Sequence, residues 1–540
     1  MLLLKKQTCQ KYIYKIHSGR LRKNGWKLTL SLQEARRNDE LIALADSQIL
    51  RWINELNGIT DEEQEVNRIR AEIRRLKRDS TDAQGRKAIK RLYSQLDSIQ
   101  FKPDYMCLII DKEKDYYRAC KGYSINGVNY VRLLGTNGGI KNSTIVFVSE
   151  RLAPELRRRI DNGRNLSKEL IPAKLEAYKA LACSASTPVS LPHGIAVVRD
   201  CVTHFHSDVV SLSYEETEEP VMELRKDEPI ELDASDGYGI MLPALAERWS
   251  KELGLDYVMS GANTRASFEK GMVFTFDFLD FAEQVSHQYY FQDVWGNTVD
   301  IRQVELILTE SMLKLWDSYK SMDDYLSCCE ENGYTFCITK VTPKDLENER
   351  NLNYQFIQSF QLSDDDIDEL ISPTMNELED VLGGNWEKAV LFMCGPGLTP
   401  ENAMRAEDGI AKAIMADRRM MDDPYVRSHI YQLIQKRIDE AKVGVLKVHG
   451  NYSIILGDPY ALCQSIFGLP VTGLLKAGEI YSEYWRGSDE LVCFRAPMTT
   501  HENIRRVHPC NSTPAQYWYR YIHTGTIFNA WDTAMAALNG

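Results

Sequence analysis

The sequence lacks the features of an exported, membrane-spanning or disulfide-stabilised protein. No stretch approaches the roughly 18 uncharged apolar residues that a membrane helix needs, and Lys5 and Lys6 interrupt the apolar start of the chain. The 12 cysteines form no Cys-x-x-Cys pair, and the adjacent Cys328 and Cys329 suit neither a disulfide framework nor a tetrahedral zinc site. We therefore expect a protein of the reducing cytoplasm with no membrane partner.

Motifs of several common enzyme classes are missing as well. The sequence contains no serine elbow and no glycine-rich phosphate loop ending in Gly-Lys-Ser or Gly-Lys-Thr. His204, His206 and the isolated histidines further along are not accompanied by carboxylates at the spacing of a known metal motif. Core or surface positions are therefore the favoured interpretation of these histidines.

Positive charge is scarce except at the front of the chain. The formal net charge is −12, yet residues 1–100 contain 21 Lys and Arg against 13 Asp and Glu. A basic segment on an acidic body can contact a nucleic-acid backbone, although a solvated helical face explains the same composition equally well. Since 540 residues exceed what one hydrophobic core usually holds, we expect two to four domains.

The spacing of apolar residues predicts an α+β protein. Residues 31–100 contain no proline and show helical periodicity, which predicts a helical hairpin with its bend near residues 57–61. Residues 299–326 are also expected to be helical. The predicted order is a helical N-terminal arm (1–104), a small β-rich and helical module (105–190), a first β-barrel with a helical insertion (191–343), a helical connector (344–440) and an incomplete second β-barrel (441–540).

A first motif is Asp236-Gly237-Tyr238-Gly239, placed before a predicted helix that begins at Pro243. Its two glycines allow a tight turn and a close approach between backbones. A plain strand-to-helix turn is the simpler interpretation of this motif, because such turns need no functional explanation.

A second motif runs from Arg265 to the pair Lys270-Gly271 and continues into a predicted strand. Lysine is a compact cation that can contact a phosphate, and the glycine lets it emerge at the start of a strand without steric conflict. A single Lys-Gly pair is common on protein surfaces. Its place at the mouth of a predicted barrel strand favours a role facing phosphate.

A third group of motifs lies in the last hundred residues. Arg495 ends an apolar strand, and Pro497 follows two residues later, an arrangement that can hold a forked donor against a ribose or phosphate. Lys447 is a nearby basic candidate, for which an ordinary surface lysine is the alternative. Glycine-containing turns at 457–459 and 473–478 separate the strands of this region.

The order of these motifs resembles that of the double-psi β-barrel RNA polymerases, especially the eukaryotic-type RNA-dependent RNA polymerases and similar phage enzymes. The resemblance covers roughly residues 105–540 and implies two double-psi β-barrels joined by the helical connector. It implies that Lys270, with Arg265, lies beside the nucleotide phosphates. It also implies that Arg495, with Pro497, contacts the ribose of the incoming nucleotide.

The resemblance implies a Mg²⁺ cofactor held by an Asp-x-Asp-Gly-Asp loop, and no such loop occurs in this sequence. Asp233 and Asp236 have the wrong spacing to replace it. Residues 528–540 resemble the lead-in to that loop, so we expect the metal ligands to lie outside this chain and the 540 residues alone to be inactive. The chain also departs from the family pattern at Ala262, where multisubunit polymerases carry a second lysine, and after Pro497, where His-Pro-Gly is absent.

The implied function is RNA synthesis from ribonucleoside triphosphates on a nucleic-acid template, in the cytoplasm of a bacterial or phage-infected cell. RNA-directed synthesis is the first interpretation, and a DNA-directed phage-type polymerase is an open alternative. An alternative of another class is a non-catalytic nucleic-acid-binding or assembly protein built from the basic arm and one barrel. Nucleotide-dependent binding would favour the polymerase, and salt-sensitive strand binding without nucleotide dependence would favour the binding protein.

Overall fold

The computed structural model describes residues 2–3, 10–79, 83–213, 219–233, 236–352, 354–395, 408–498, 501–531 and 538. The chain forms two compact units. The first contains Met1–Asp200, Ser235–Thr342 and Ser465–Leu469, and the second contains Cys201–Ala234, Pro343–Gln464 and Pro470–Gly540. The chain therefore passes between the two units several times along its length.

Most strands within the described ranges are short. In chain order they are β1 (Leu2–Leu3), β2 (Lys11–His17), β3 (Lys27–Leu28), β4 (Leu41–Leu44), β5 (Phe101–Ile109), β6 (Tyr123–Ile125), β7 (Val128–Leu134), β8 (Thr144–Ser149), β9 (Thr187–Pro188), β10 (Ile195–Val198), β11 (Val202–Ser213), β12 (Val221–Asp233), β13 (Tyr238–Met241), β14 (Gly261–Ala266), β15 (Glu269–Thr275), β16 (Tyr290–Gln292), β17 (Thr298–Asp300), β18 (Leu306–Thr309), β19 (Cys337–Val341), β20 (Glu349–Asn351), β21 (Lys447–His449), β22 (Ile454–Leu456), β23 (Glu479–Tyr481), β24 (Leu491–Phe494), β25 (Ile504–Pro509) and β26 (Gly525–Phe528).

The helices are concentrated near the start of the chain and in the connector. They are α1 (Ser18–Lys23), α2 (Leu32–Arg37), α3 (Gln48–Leu56), α4 (Glu62–Asp79), α5 (Ala83–Gln100), α6 (Glu113–Ala119), α7 (Asn137–Lys141), α8 (Ala153–Asp161), α9 (Pro172–Lys179), α10 (Pro243–Glu252), α11 (Phe278–Phe281), α12 (Met322–Glu331), α13 (Tyr354–Gln358), α14 (Asp364–Leu382), α15 (Trp386–Cys394), α16 (Gly409–Ala416), α17 (Pro424–Lys442), α18 (Pro459–Ile466) and α19 (Thr513–Trp518).

The first hundred residues do not form a purely helical arm, which corrects the prediction for residues 1–104. A seven-stranded sheet in the first unit has the order β3-β6-β7-β8-β5-β2-β4 and combines strands from both sides of residue 104. Its strand β4 contains Leu41, Ile42 and Leu44, which the sequence analysis placed in a helix. A short apolar run fits either element, and pairing with β2 decides in favour of the strand.

A helical hairpin is present, but its bend differs from the prediction. The expected helix stop and restart near residues 57–61 do occur, because α3 ends at Leu56 and α4 begins at Glu62. The two helices of the hairpin, however, are α4 and α5. Their apolar seam consists of Val66, Ile69, Ile73, Ile89, Leu92, Leu96 and Ile99. The apolar face of α3 packs instead in the core of the seven-stranded sheet, because Ile49, Leu50, Trp52 and Ile53 belong to that cluster.

An eight-stranded sheet carries the second core of the first unit. Its main path is β1-β19-β14-β15-β13-β18-β10, and β9 pairs with β19. Strand β18 lies inside residues 299–326, so the helical prediction for that segment is wrong there. Leu306, Ile307 and Leu308 are all almost fully buried. A continuous apolar run of this length has no periodicity that distinguishes a strand from a buried helix.

The second unit contains a five-stranded sheet with the order β22-β26-β23-β25-β24. The helical connector predicted for residues 344–440 is largely helical, with α13–α17 in place and only β20 as a strand among its described residues. Strands β11 and β12 form a separate two-stranded ribbon, although the sequence analysis placed their residues in the first barrel. The observed class is therefore α+β, as predicted.

The two units share one pattern of strand connections. In the first unit, β10 is parallel to β18, β18 is antiparallel to β13, β13 is parallel to β15, and β15 is antiparallel to β14. In the second unit, β22, β26, β23, β25 and β24 pair in the same order and with the same directions. Because of this shared pattern, the β14–β15 connection and the β24–β25 connection hold equivalent places in the two units.

Candidate functional site

The site in the first unit is built on the tight turn between β14 and β15. Arg265 lies opposite Lys270 in this antiparallel pair, and Phe268 in the turn has a φ of 55° and is buried. The backbone N–H of Lys270 donates to the carbonyl of Met312 over 3.1 Å, and the N–H of Lys314 donates to the carbonyl of Phe268 over 3.0 Å. The segment that follows β18 therefore fixes the position of the turn through backbone hydrogen bonds.

Glycines bring the neighbouring backbones close to this turn. Gly237 has a φ of 69°, and its N–H donates to the Ser311 hydroxyl over 2.7 Å. A Cβ added to Gly239 would lie 2.4 Å from the carbonyl oxygen of Ile307, and one added to Gly271 would lie 2.5 Å from that of Gly237. The structure thus assigns the turn to Gly237 and the close approaches to Gly239 and Gly271.

Three cationic side chains and one carboxylate influence one another at the turn. Lys270 is exposed, and its pKa is lowered by partial desolvation and then by the positive charges of Arg265 and Lys314, while Asp236 opposes the shift. Burial likewise lowers the pKa of Arg265. Cations that repel one another in this way gain stabilisation from a bound polyanion, so the arrangement suits a phosphate-bearing ligand.

Lys314 is a member of this cluster that the sequence analysis missed. It lies 44 positions after Lys270 and belongs to no motif, so only the backbone pairing of its segment with the turn brings it there. The order of residues gives no signal for such a contact. Ala262, which occupies the position where multisubunit polymerases carry a second lysine, is fully buried in the core.

Glu269 is a second residue that the sequence analysis missed. Its side chain is almost fully buried, with 1% exposure, and Thr264 Oγ1 donates to its Oε1 over 2.7 Å. Its Oε2 is buried without a hydrogen-bond partner among the described residues. Burial raises the pKa of this carboxyl to about 7, although Thr264 and then Arg265 act to lower it. Glu269 therefore titrates near neutral pH, directly beside Lys270 in the chain.

Arg495 and Pro497 lie in the second unit, directly after β24. Arg495 is exposed, and its Nη1 donates to the carbonyl of Leu538 over 3.1 Å. The Ala496–Pro497 peptide bond is cis. The structure places Arg495 at the β24–β25 connection, which corresponds to the β14–β15 turn that precedes Lys270 in the first unit.

Lys447, also in the second unit, is compensated by two carboxylates. Its Nζ lies 2.7 Å from Glu349 and 3.0 Å from Glu377. These two partners raise its pKa against the opposing effect of burial. Because its charge is already balanced, we leave Lys447 out of the proposed substrate-binding set.

Asp458 organises the glycine-containing turns of the second unit. Its buried carboxylate accepts hydrogen bonds from the N–H groups of Tyr460 and Leu474 and from the hydroxyl of Tyr519, over 2.9, 3.0 and 2.7 Å. Gly473 has a φ of 61°, and a Cβ there would lie 2.5 Å from Asp458 Oδ2. Asp458 thus joins turns that are 15 residues apart in the sequence, and its role is structural.

The described residues contain no group of three or more His, Cys, Asp or Glu side chains placed to hold a metal ion. The side chains present there do not fit a Mg²⁺ site, and no step of the chemistry is assigned to a metal. The predicted lead-in to a metal loop falls largely on residues 532–537 and 539–540, which lie outside the described residues. Among helices in the described ranges, none is long and apolar enough to cross a lipid bilayer.

Comparisons with known proteins agree with the resemblance seen in the motifs. The chain is 27% identical over 375 residues to the DNA-directed RNA polymerase YonO of Bacillus phage SPbeta, a match that covers 67% of this chain and 42% of the phage protein. The chain thus resembles a phage RNA polymerase in sequence. Its fold matches that of the RNA-dependent RNA polymerase QDE-1 from Thielavia terrestris with a TM-score of 0.52 and 14% identity, covering 81% of this chain and 48% of that one.

No protein-family model matches the chain. The chain spans less than half the length of either of these two proteins. The phage protein is similar to it in sequence, and QDE-1 is similar to it in fold.

Proposed function

We propose that this chain is part of a nucleic-acid-templated RNA polymerase and that its first unit binds the triphosphate of a ribonucleotide. The observation that carries the proposal is the cluster of Arg265, Lys270 and Lys314 at one tight turn, with the pKa of Lys270 lowered by burial and by its two cationic neighbours. A triphosphate bound there would relieve the repulsion between these cations. Arg495 is proposed to contact the ribose.

The shared strand pattern of the two units supports a finer proposal about the fold. We infer that each unit contains one double-psi β-barrel. This arrangement would place both basic side chains beside the connection between the third and fourth strands of their barrels, with Lys270 at the start of the fourth strand and Arg495 directly after the third. One duplicated framework would then present two different basic side chains, one for phosphate and one for ribose.

DNA is the template that we favour. The relative in sequence is a DNA-directed enzyme, whereas the match to the RNA-dependent enzyme rests on fold at 14% identity. Because the 540 residues alone are expected to be inactive, the measurement is the affinity of the protein for single DNA and RNA strands of the same sequence, by fluorescence anisotropy. Tighter binding of the DNA strand is expected, and binding confined to the RNA strand would overturn this choice.

Lys270→Ala should weaken the binding of ATP by about tenfold, because it removes a charge-assisted hydrogen bond to phosphate. Isothermal titration calorimetry on the protein measures the affinity. The matched control is Lys251→Ala, which removes an exposed lysine of α10 away from the turn and should leave the affinity unchanged. Equal affinities for the two variants would count against the phosphate site.

A further inference from the structure

We propose that one face of the α4–α5 hairpin binds the phosphate backbone of duplex nucleic acid. This inference goes beyond the nucleotide site, because it concerns a different surface and requires no triphosphate. The hairpin lies within residues 62–100, which contain 10 Lys and Arg against 7 Asp and Glu. These charges are divided unequally between its two sides.

The apolar seam fixes which residues face outward. Val66, Ile69 and Ile73 of α4 are buried and pack in one cluster with residues of α5. Positions three or four apart share one face of a helix, so the residues on either flank of the seam can be read from the spacing. Both flanks of α4 carry arginines, and on one flank glutamates of the same helix are paired with them.

The acidic flank of α4 is internally paired. Glu65 lies 2.6 Å from Arg68, and Glu72 lies 2.6 Å from Arg75, in both cases three positions along the helix. These pairs leave little net charge for a partner to use.

The opposite flank of α4 carries Arg74, Lys77 and Arg78, all exposed. Lys77 Nζ contacts the hydroxyl of Tyr93 on α5 over 3.0 Å and lies 5.5 Å from the centre of its ring. This contact shows that Tyr93 is on the same side of the hairpin. Arg86 and Lys90 of α5 share that side, because they lie seven and three positions before Tyr93, and both are exposed.

We call the set Arg74, Lys77, Arg78, Arg86 and Lys90 the cationic face. Acidic residues on the same flank, Glu63 and Asp97, lie at the base of the hairpin, and Asp97 is paired with Arg36 over 2.6 Å. The distal half of this flank therefore presents exposed cations from both helices. Duplex nucleic acid, with one negative charge per about 1.7 Å of its length, matches this surface by counterion release.

The hairpin does not suit a membrane surface. A helix that lies on a lipid bilayer needs an exposed apolar face, whereas the apolar residues of α4 and α5 are used in the seam. Tyr93, with 43% exposure, is the large exposed side chain with an apolar ring that lies beside the cationic face, among the described residues of the hairpin. The phenol hydroxyl of a tyrosine can donate a hydrogen bond to a phosphate oxygen.

The test compares two variants that remove equal charge from the same two helices. The face variant combines Arg74→Gln and Arg86→Gln. The control variant combines Arg68→Gln and Arg91→Gln, which lie on the opposite flanks of the same two helices. Glutamine has a helix propensity similar to that of arginine and lysine, so both variants should fold, as circular dichroism can verify.

Binding is measured by fluorescence anisotropy with a short labelled DNA duplex over a range of KCl concentrations and without nucleotide. The face variant should bind at least about tenfold more weakly at ~0.1 M salt. The slope of log K against log salt should become shallower by about 0.9 for each phosphate that the protein no longer neutralises. The control variant should bind nearly as tightly as the unmodified protein.

Two outcomes would overturn the inference. Equal weakening in both variants would mean that only overall charge matters, and failure of the unmodified protein to bind the duplex would leave an acidic protein as the better partner for this face. Lys270→Ala should not change duplex binding in this assay. A failure of the nucleotide site and a failure of the hairpin surface are therefore distinguishable.

Discussion

Gly239→Ala is expected to destabilise the first unit by about 3 kcal/mol or more, the upper range for overpacking a core. The new Cβ would lie 2.4 Å from the carbonyl oxygen of Ile307 and 3.0 Å from the sulfur of Met312. A side chain can rotate away, but the carbonyl belongs to β18, which pairs with both β10 and β13. Relief of the clash therefore requires the central strands of the sheet to separate.

The matched control is Gly237→Ala, two residues earlier, in the turn before β13. Nothing lies within 4 Å of a Cβ at Gly237, so its cost is limited to the left-handed backbone, at about 1 kcal/mol. Urea unfolding followed by tryptophan fluorescence, with Trp249 as a reporter in the core of this unit, compares the two. If Gly239→Ala were no more destabilising than Gly237→Ala, the close approach of β13 to β18 would be refuted.

Glu269→Gln should change how stability depends on pH. Burial raises the pKa of the Glu269 carboxyl from 4.5 to about 7, so the folded protein holds a proton that the unfolded chain has released. Between these two pH values the folded state binds more protons, and stability must fall as the pH rises. Over this window the decrease is on the order of 3 kcal/mol, and it is complete above pH 7.

Glutamine imitates the protonated carboxyl and still accepts the hydrogen bond from Thr264. The variant should match the unmodified protein at about pH 4.5 and exceed its thermal stability above pH 7. Melting temperatures measured from pH 4.5 to 8 test this, with the exposed Glu247→Gln as control. Parallel pH profiles for Glu269→Gln and the unmodified protein would show that this carboxyl is charged when folded.

Local signals in the sequence predicted part of the site. The two glycines of the first motif predicted the turn at Gly237. The segment from Arg265 to Gly271 forms the hairpin that holds Arg265 opposite Lys270. Arg495 was predicted to end an apolar strand, and it lies directly after β24.

The parts that were missed depend on contacts between distant segments. Lys314 reaches the turn only through backbone hydrogen bonds made by residues that no motif includes. The burial of Glu269 follows from the alternation of side chains along β15, and that alternation is informative only when the strand and its neighbours are known. Leu306–Thr309 became a strand by tertiary pairing, which local periodicity does not record.

The path of the chain between its two units has a consequence for synthesis on the ribosome. Residues 465–469 belong to the first unit, and Phe467 packs there with its ring centre 6.1 Å from that of Phe281 and 6.3 Å from that of Phe291. Most domains fold in order as they are translated. The first unit, however, cannot complete its core until Phe467 has left the exit tunnel, after the helical connector has already emerged.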